Sequence, residues 1–155
     1  MNSSDDPDHP RANFGRLVAH AARQWRRAVD IRLRPFGLTE ATWLPLVHVS
    51  RAEKPMRQKD LAALLSLDNS SVVRLLDALQ AAGFIERREE PSDRRVKTIH
   101  LTQSARSVLD QVEAASSAVR AETLAGISDS DLATASHVLQ HVCDALAATG
   151  ADGDE

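Results

Sequence analysis

The stretch QKDLAALLSLDNSSVVRLLDALQAAGFIERREEPSDRRVKTIHL, residues 58–101, decides the fold. In residues 58–65, Leu61, Leu64 and Leu65 recur at a spacing that turns them to one side of a short helix. Ser66-Leu67-Asp68 reads as a tight turn, with Asp68 or Asn69 capping a second helix over 69–82. Gly83 follows, where a helix end calls for a left-handed residue. Two short helices joined by a three-residue turn form a helix-turn-helix pattern. Two short runs, 84–88 and 95–101, then flank the turn residues Pro91-Ser92-Asp93 and predict a β-hairpin.

The second helix has two distinct arcs. At about 100° per residue, Val72, Leu75, Leu76 and Leu79 share one side, and Ser70, Arg74, Asp77 and Ala81 share the other. The outer arc is slim and hydrogen-bonding, as entry into a DNA major groove about 12 Å wide requires. Arg74 can donate to guanine O6 and N7 or to phosphate, and Asn69, Ser70 and Ser71 can meet phosphates or base edges. Taken alone, the helix pair fits equally well an amphipathic surface helix whose serines merely cap it. The hairpin tip, Pro91-Ser92-Asp93-Arg94-Arg95, shifts the balance. It places two guanidiniums on a narrow projection suited to the minor groove, with Asp93 able to hold one of them extended. A solvated charge run is the plainer reading of such a cluster, but its position directly after a helix-turn-helix argues for DNA.

Outward from this unit, Phe14, Leu17, Val18, Ala21, Trp25 and Ala28 mark a first helix, which Pro35 and Gly37 end. Thr39 caps a second helix carrying Trp43, Leu46 and Val47, with Pro45 in its first turns. Residues 51–55 read as a polar break. Thr102 caps a long helix with Val108, Leu109, Val112, Ala115 and Val119 on one face, and Gly126 stops it. Ser128 and Asp131 resemble a capping box at the start of the last helix, whose stripe is Leu132, Ala135, Leu139, Val142 and Leu146. The fold class is therefore mainly α: six helices plus a short β-hairpin. Residues 1–10 and 149–155 read as disordered tails.

The 155 residues are 43% hydrophobic, 26% charged and 3% aromatic, so one soluble domain with a core of Leu, Val, Ile and Ala is expected. The net charge of −3 hides an asymmetry. Residues 11–34 carry seven Arg against one acid, whereas residues 102–155 carry two Arg against nine acids. The acidic C-terminal part is excluded as a nucleic-acid face. Residues 57–97, with eight basic and seven acidic groups, must rely on well-placed cations rather than a broad basic field. No apolar run approaches the ~18 residues of a membrane span. A polar N-terminus without a signal-peptide core and a single cysteine, Cys143, point to a reduced, cytoplasmic protein.

Leu61-Ala62, the run from Ser71 through Leu79, Gly83-Phe84-Ile85-Glu86-Arg87, Ser92-Asp93-Arg94-Arg95 and Leu101-Thr102 together resemble the MarR family of bacterial regulators. Arg32-Leu33-Arg34-Pro35-Phe36-Gly37-Leu38-Thr39 with Trp43, and Leu124-Ala125-Gly126-Ile127-Ser128, are similar to its SlyA branch. The resemblance covers about residues 14–146. It implies a winged helix-turn-helix lobe over 36–102 and dimerisation helices over 11–35 and 103–148. It implies a homodimer, and the leading reading is a transcription regulator, a repressor or an antagonist of other DNA-bound proteins, on a palindromic operator of double-stranded DNA. The implied DNA contacts are Asn69, Ser70, Ser71 and Arg74 on the reading helix, and Asp93, Arg94 and Arg95 on the wing, with Arg95 in the minor groove and oriented by Asp93. It also implies an aromatic carboxylate or phenolic effector in a pocket lined by Arg23, Arg26 and Trp43, where Arg suits a carboxylate and Trp offers a flat face. Ser70 stands where SlyA-like proteins often have Pro, and Val47 where some relatives have His.

The dimer has independent support. One helix-turn-helix covers one half-site, palindromes place half-sites about 34–36 Å apart, and the terminal helices carry apolar stripes without an evident partner. A winged-helix protein-interaction module without DNA binding is the competing reading. An enzyme is disfavoured: there is no Gly-rich phosphate loop, nucleophile elbow or metal cluster of proper spacing, and no cofactor is implied. Cys143 near the stripe of an acidic helix disfavours a reactive thiolate. His137 and His141, i,i+4 without further ligands, read as a surface pair rather than a metal site.

Overall fold

The computed structural model describes residues 10–151, with the backbone alone at 150 and 151. The tails expected at 1–10 and 149–155 lie outside the described residues, except for Pro10 and residues 149–151, which are helical. The chain runs α1 (Pro10–Leu33), a 3-10 turn (Arg34–Phe36), α2 (Glu40–Arg51), β1 (Met56–Arg57), α3 (Gln58–Leu65), α4 (Asn69–Ala81), β2 (Ile85–Glu90), β3 (Asp93–Leu101), α5 (Gln103–Thr123) and α6 (Asp129–Ala151). Six α-helices and a three-stranded antiparallel sheet of order β1-β3-β2 are thus present among the described residues. This is a winged helix-turn-helix architecture.

Residues 10–119 hold one core. Leu33, Leu46, Leu61, Val72 and Leu76 are fully buried, with Ile85 and Ile99 brought in from the sheet. Each such side chain contributes about 1.5–3 kcal/mol on burial. Together they clamp α3 and α4 against α2 and the strands. Trp43 is the one buried aromatic among the described residues, at 4% exposure. On α5, Ala105, Val108, Val112, Ala115 and Val119 form the buried face.

The hairpin register runs from Ile85 opposite Leu101 to Glu89 opposite Lys97, then slips so that Glu90 faces Asp93 across Pro91-Ser92. The third strand, β1, falls just after the expected polar break. Met56 and Arg57 pair with Ile99 and Thr98 on the free edge of β3. Two residues are too few to show alternation, so only the neighbouring strand reveals them.

Two local readings are corrected. Leu64 is not inward; it is 55% exposed. The core side of α3 is set by Leu61, Ala62 and Leu65. At about 100° per residue Leu64 lies well outside that arc. Thr39 occupies the N-cap position of α2, but its hydroxyl makes no capping bond. The Thr102 hydroxyl, directly before α5, donates to the Gly83 carbonyl at 2.6 Å and so ties the start of α5 to the end of α4. Ser66 ends α3 in the left-handed region, φ +53, with its amide on the Ala62 and Ala63 carbonyls.

Residues 120–151 belong to a second compact unit. Its helix α6 opens on the expected capping pair. The Asp131 amide donates to Ser128 Oγ at 3.1 Å, and Ser128 Oγ donates to the Asp131 carboxylate at 2.7 Å. No residue of α6 is buried among those described, and Cys143, expected near its stripe, is exposed.

Candidate nucleic-acid interface

Asp68 begins the interface. It sits at the N-cap of α4, where free amides leave partial positive charge. Its carboxylate accepts from the Ser71 amide at 2.7 Å, Ser70 Oγ at 2.7 Å and Ser71 Oγ at 2.9 Å. These bonds, the Ser70 hydroxyl first, hold its pKa down at about 2. Both serine hydroxyl protons are therefore committed, which leaves the oxygens as acceptors. Asn69, Ser70 and Arg74 are exposed, and Ser71 is half-buried. Arg74 has no hydrogen-bond or ion-pair partner among the described residues, so its five donors remain available.

Asp77, on the same arc, is not available. Arg87 of β2 pairs with it and also donates from Nε to Gln80 Oε1 at 2.8 Å. The wing is thereby fastened to the outer side of α4. A second fastening joins the wing to β1, where Arg57 Nη2 meets both Glu90 oxygens at 2.9 and 3.2 Å.

At the wing tip Asp93 accepts from the Arg95 amide at 3.0 Å, Nε at 3.2 Å and Nη2 at 3.4 Å. The Arg95 side chain lowers the Asp93 pKa most, followed by the Arg95 amide. The Arg95 side chain is nevertheless 91% exposed, so it is braced and still reachable. Arg94 is exposed beside it. Between the wing and the starts of α3 and α4 lies a hollow of about 410 Å³, lined by Arg57, Gln58, Lys59, Asn69, Arg95 and Lys97 around Val96.

A separate cavity of about 450 Å³ lies between α1, α2 and α5. Trp25, Arg26, Trp43, Val47 and Arg51 are among its lining residues. Arg26 and Trp43 thus come together, while Arg23 is exposed and does not line it. Arg26 Nε donates to Glu40 at 3.0 Å, and the Trp43 indole N–H reaches Asp30 at 3.4 Å. His48, nearby on α2, has its pKa lowered by burial and then by Arg51.

The sequence pattern of the MarR family matches residues 38–97, from the start of α2 to the wing. Transcriptional regulator PA3341 is 36% identical, with a TM-score of 0.77, covering 86% of this chain and 97% of that one. The chain belongs to the MarR family. Two further MarR-like structures agree. A MarR family regulator from Rhodococcus sp. RHA1 is 27% identical, with a TM-score of 0.73 over 87% of this chain and 95% of its own. CouR from Rhodococcus jostii RHA1, solved bound to p-coumaroyl-CoA, is 29% identical with a TM-score of 0.71, over 87% and 94%. As a MarR family member the chain is a DNA-binding transcriptional regulator, not an enzyme. No helix among the described residues is long and apolar enough to cross a membrane, and none of their His, Cys, Asp and Glu side chains form a group of three that could hold a metal ion.

The MarR pattern in the sequence pointed to the reading helix and the wing tip but missed Asp68 as organiser of the serines, the Arg57, Lys59 and Lys97 cations of the hollow, and Arg51 in the cavity. Only Asp68 left a usable signal, as a cap. The cations gain meaning from strands and helices that meet in space, which a linear pattern does not display.

Proposed function

We propose that this MarR protein is a homodimeric, SlyA-like repressor that reads a palindromic duplex. The DNA-binding lobe spans 36–102, and the dimerisation helices lie within 11–35 and 103–148. Helix α4 enters the major groove with Asn69, Ser70, Ser71 and Arg74. Arg95, braced by Asp93 and flanked by Arg94, enters the minor groove. The observation that carries this reading is the exposed, braced Arg95 on the same lobe as the unpartnered Arg74. A salt bridge of this kind at a surface adds little stability, so its value lies in orientation.

A small aromatic carboxylate is proposed as effector in the cavity of Trp25, Trp43, Arg26 and Arg51. The ligand carboxylate would take Arg26 from Glu40, and the indoles would cover its ring. CouR's bound aromatic thioester supports an aromatic ligand class. Arg23 would join this site only through a rearrangement of its exposed side chain.

Selection from random duplexes, followed by titration of Arg74→Ala and Arg95→Ala, tests the DNA reading. A palindromic winner is expected, with Arg74→Ala losing about 1–3 kcal/mol of discrimination at one base pair. Absence of any selected sequence would leave the protein-interaction reading in its place, and unchanged binding of the selected duplex when both arginines are replaced would remove Arg74 and Arg95 from the interface.

A further inference from the structure

We propose that the hollow between the start of α3 and strand β3 seats one backbone phosphate of the bound duplex, held chiefly by Lys59 and Lys97. The inference rests on the DNA reading of α4 and the wing.

The hollow, about 410 Å³, is lined by four cations, two amides and a valine, and no carboxylate lines it. The nearby acids are held by other partners or line another cavity. Glu90 is bound by Arg57, and Asp93 by Arg95. Asp60 accepts from the Arg57 amide at 3.3 Å and lines a different cavity, as does Glu89, the ladder neighbour of Lys97. Lys59 and Lys97 are exposed and have no ion-pair partner among the described residues. Two unpaired ammonium groups facing one concavity repel each other, a cost that an entering anion removes.

The amides specify the anion further. Gln58 Nε2 donates to Asn69 Oδ1 at 3.4 Å. That leaves one N–H of Gln58 and both of Asn69 for an oxyanion. A phosphodiester presents two unbridged oxygens and one charge, which a pair of mobile ammonium groups and neutral donors can satisfy. Location selects the source. The hollow touches Asn69 at the start of the reading helix and Arg95 of the wing. A strand passing from the major groove at α4 to the minor groove at Arg95 must carry its phosphates past that point. Such a contact fixes register without reading sequence.

The test is the salt dependence of duplex affinity for Lys59→Gln, Lys97→Gln and the double variant, with thermal melting as the check on folding. Gln keeps most of the stem at two exposed positions, so wild-type melting is expected. Losing one phosphate contact lowers the log–log salt slope by about 1 in the double variant. Affinity for the selected and a scrambled duplex should fall by the same factor, with base preference unchanged. A wild-type slope, or a changed base preference, overturns the proposal. Calorimetric titration with inorganic phosphate separates the sources. Saturable binding lost in the double variant would assign the hollow to a free anion and overturn the duplex seat; no saturation is expected. If the wild type binds no duplex, both this proposal and the DNA reading fail. If it binds, and Arg74→Ala relaxes specificity while the lysine variants keep the wild-type slope, the phosphate seat alone fails.

Discussion

At the scale of single residues, the start of α4 is governed by Asp68. One carboxylate caps the helix and points two hydroxyls. Its pKa is about 2 in the folded chain against an ordinary 3.8. The folded-state value is depressed, so the stabilisation is complete above the ordinary value and is lost as pH falls toward about 2. Urea unfolding of the wild type should therefore weaken between about pH 4 and pH 2 by more than that of Asp68→Asn, which keeps a capping oxygen but cannot ionise. Identical pH profiles for the two proteins would remove Asp68 from this role. The same substitution turns a donor toward one serine and frees that hydroxyl proton, so the selected operator should change at the bases facing the start of α4.

At the scale of elements, the wing and the reading helix behave as one part because Arg87 spans from β2 to Asp77 and Gln80 on α4. The link between the two elements turns at Gly83, φ +79, followed by Phe84 whose amide returns to the Leu79 carbonyl at 3.0 Å. A Cβ at Gly83 would meet nothing within 4 Å. The cost of Gly83→Ala is therefore backbone strain alone, about 1–2 kcal/mol for an L-residue held left-handed. The urea midpoint should fall with an unchanged m-value. A variant as stable as wild type would mean that the turn relaxes to another conformation, and the coupling of wing to helix would have to be reconsidered.

At the scale of the whole molecule, apolar side chains remain uncovered on the terminal helices. On α1, Leu17 is 65% exposed and Ile31 49%; on α6, Val138, Leu139 and Leu146 are all exposed. Monomeric proteins expose single apolar residues freely, but Leu139 and Leu146, seven residues apart, share one side of α6. The homodimer proposed above would cover them. Leu17→Glu with Leu139→Glu should sediment as a monomer and lose affinity for the full palindrome while retaining weak half-site binding. A wild type that stays monomeric at micromolar concentration would refute the dimer. In the dimer, a ligand in the Trp43 cavity that alters the spacing of the two α4 helices should shift operator affinity by about 5–150-fold, the range of a 1–3 kcal/mol coupling.

What the sequence determined by itself was local. The span of α3, the start of α4 and the left-handed Gly83 all follow from residues within a turn of one another, where periodicity and capping act through a few backbone dihedrals; local residues also gave Asp93 an arginine to hold, and the resemblance named it as Arg95. The MarR resemblance was carried by the same local runs. Tertiary structure alone decided which leucine of α3 faces the core, that Met56 and Arg57 join β3 as a strand, that Asp77 is held by Arg87, and that Arg26 but not Arg23 lines the cavity beside Trp43. It also gathered Arg57 and Lys59 with Arg95 and Lys97 around one hollow. These features depend on closing long loops between elements, and the free energy that closes them comes from burying the shared core rather than from any residue in the site.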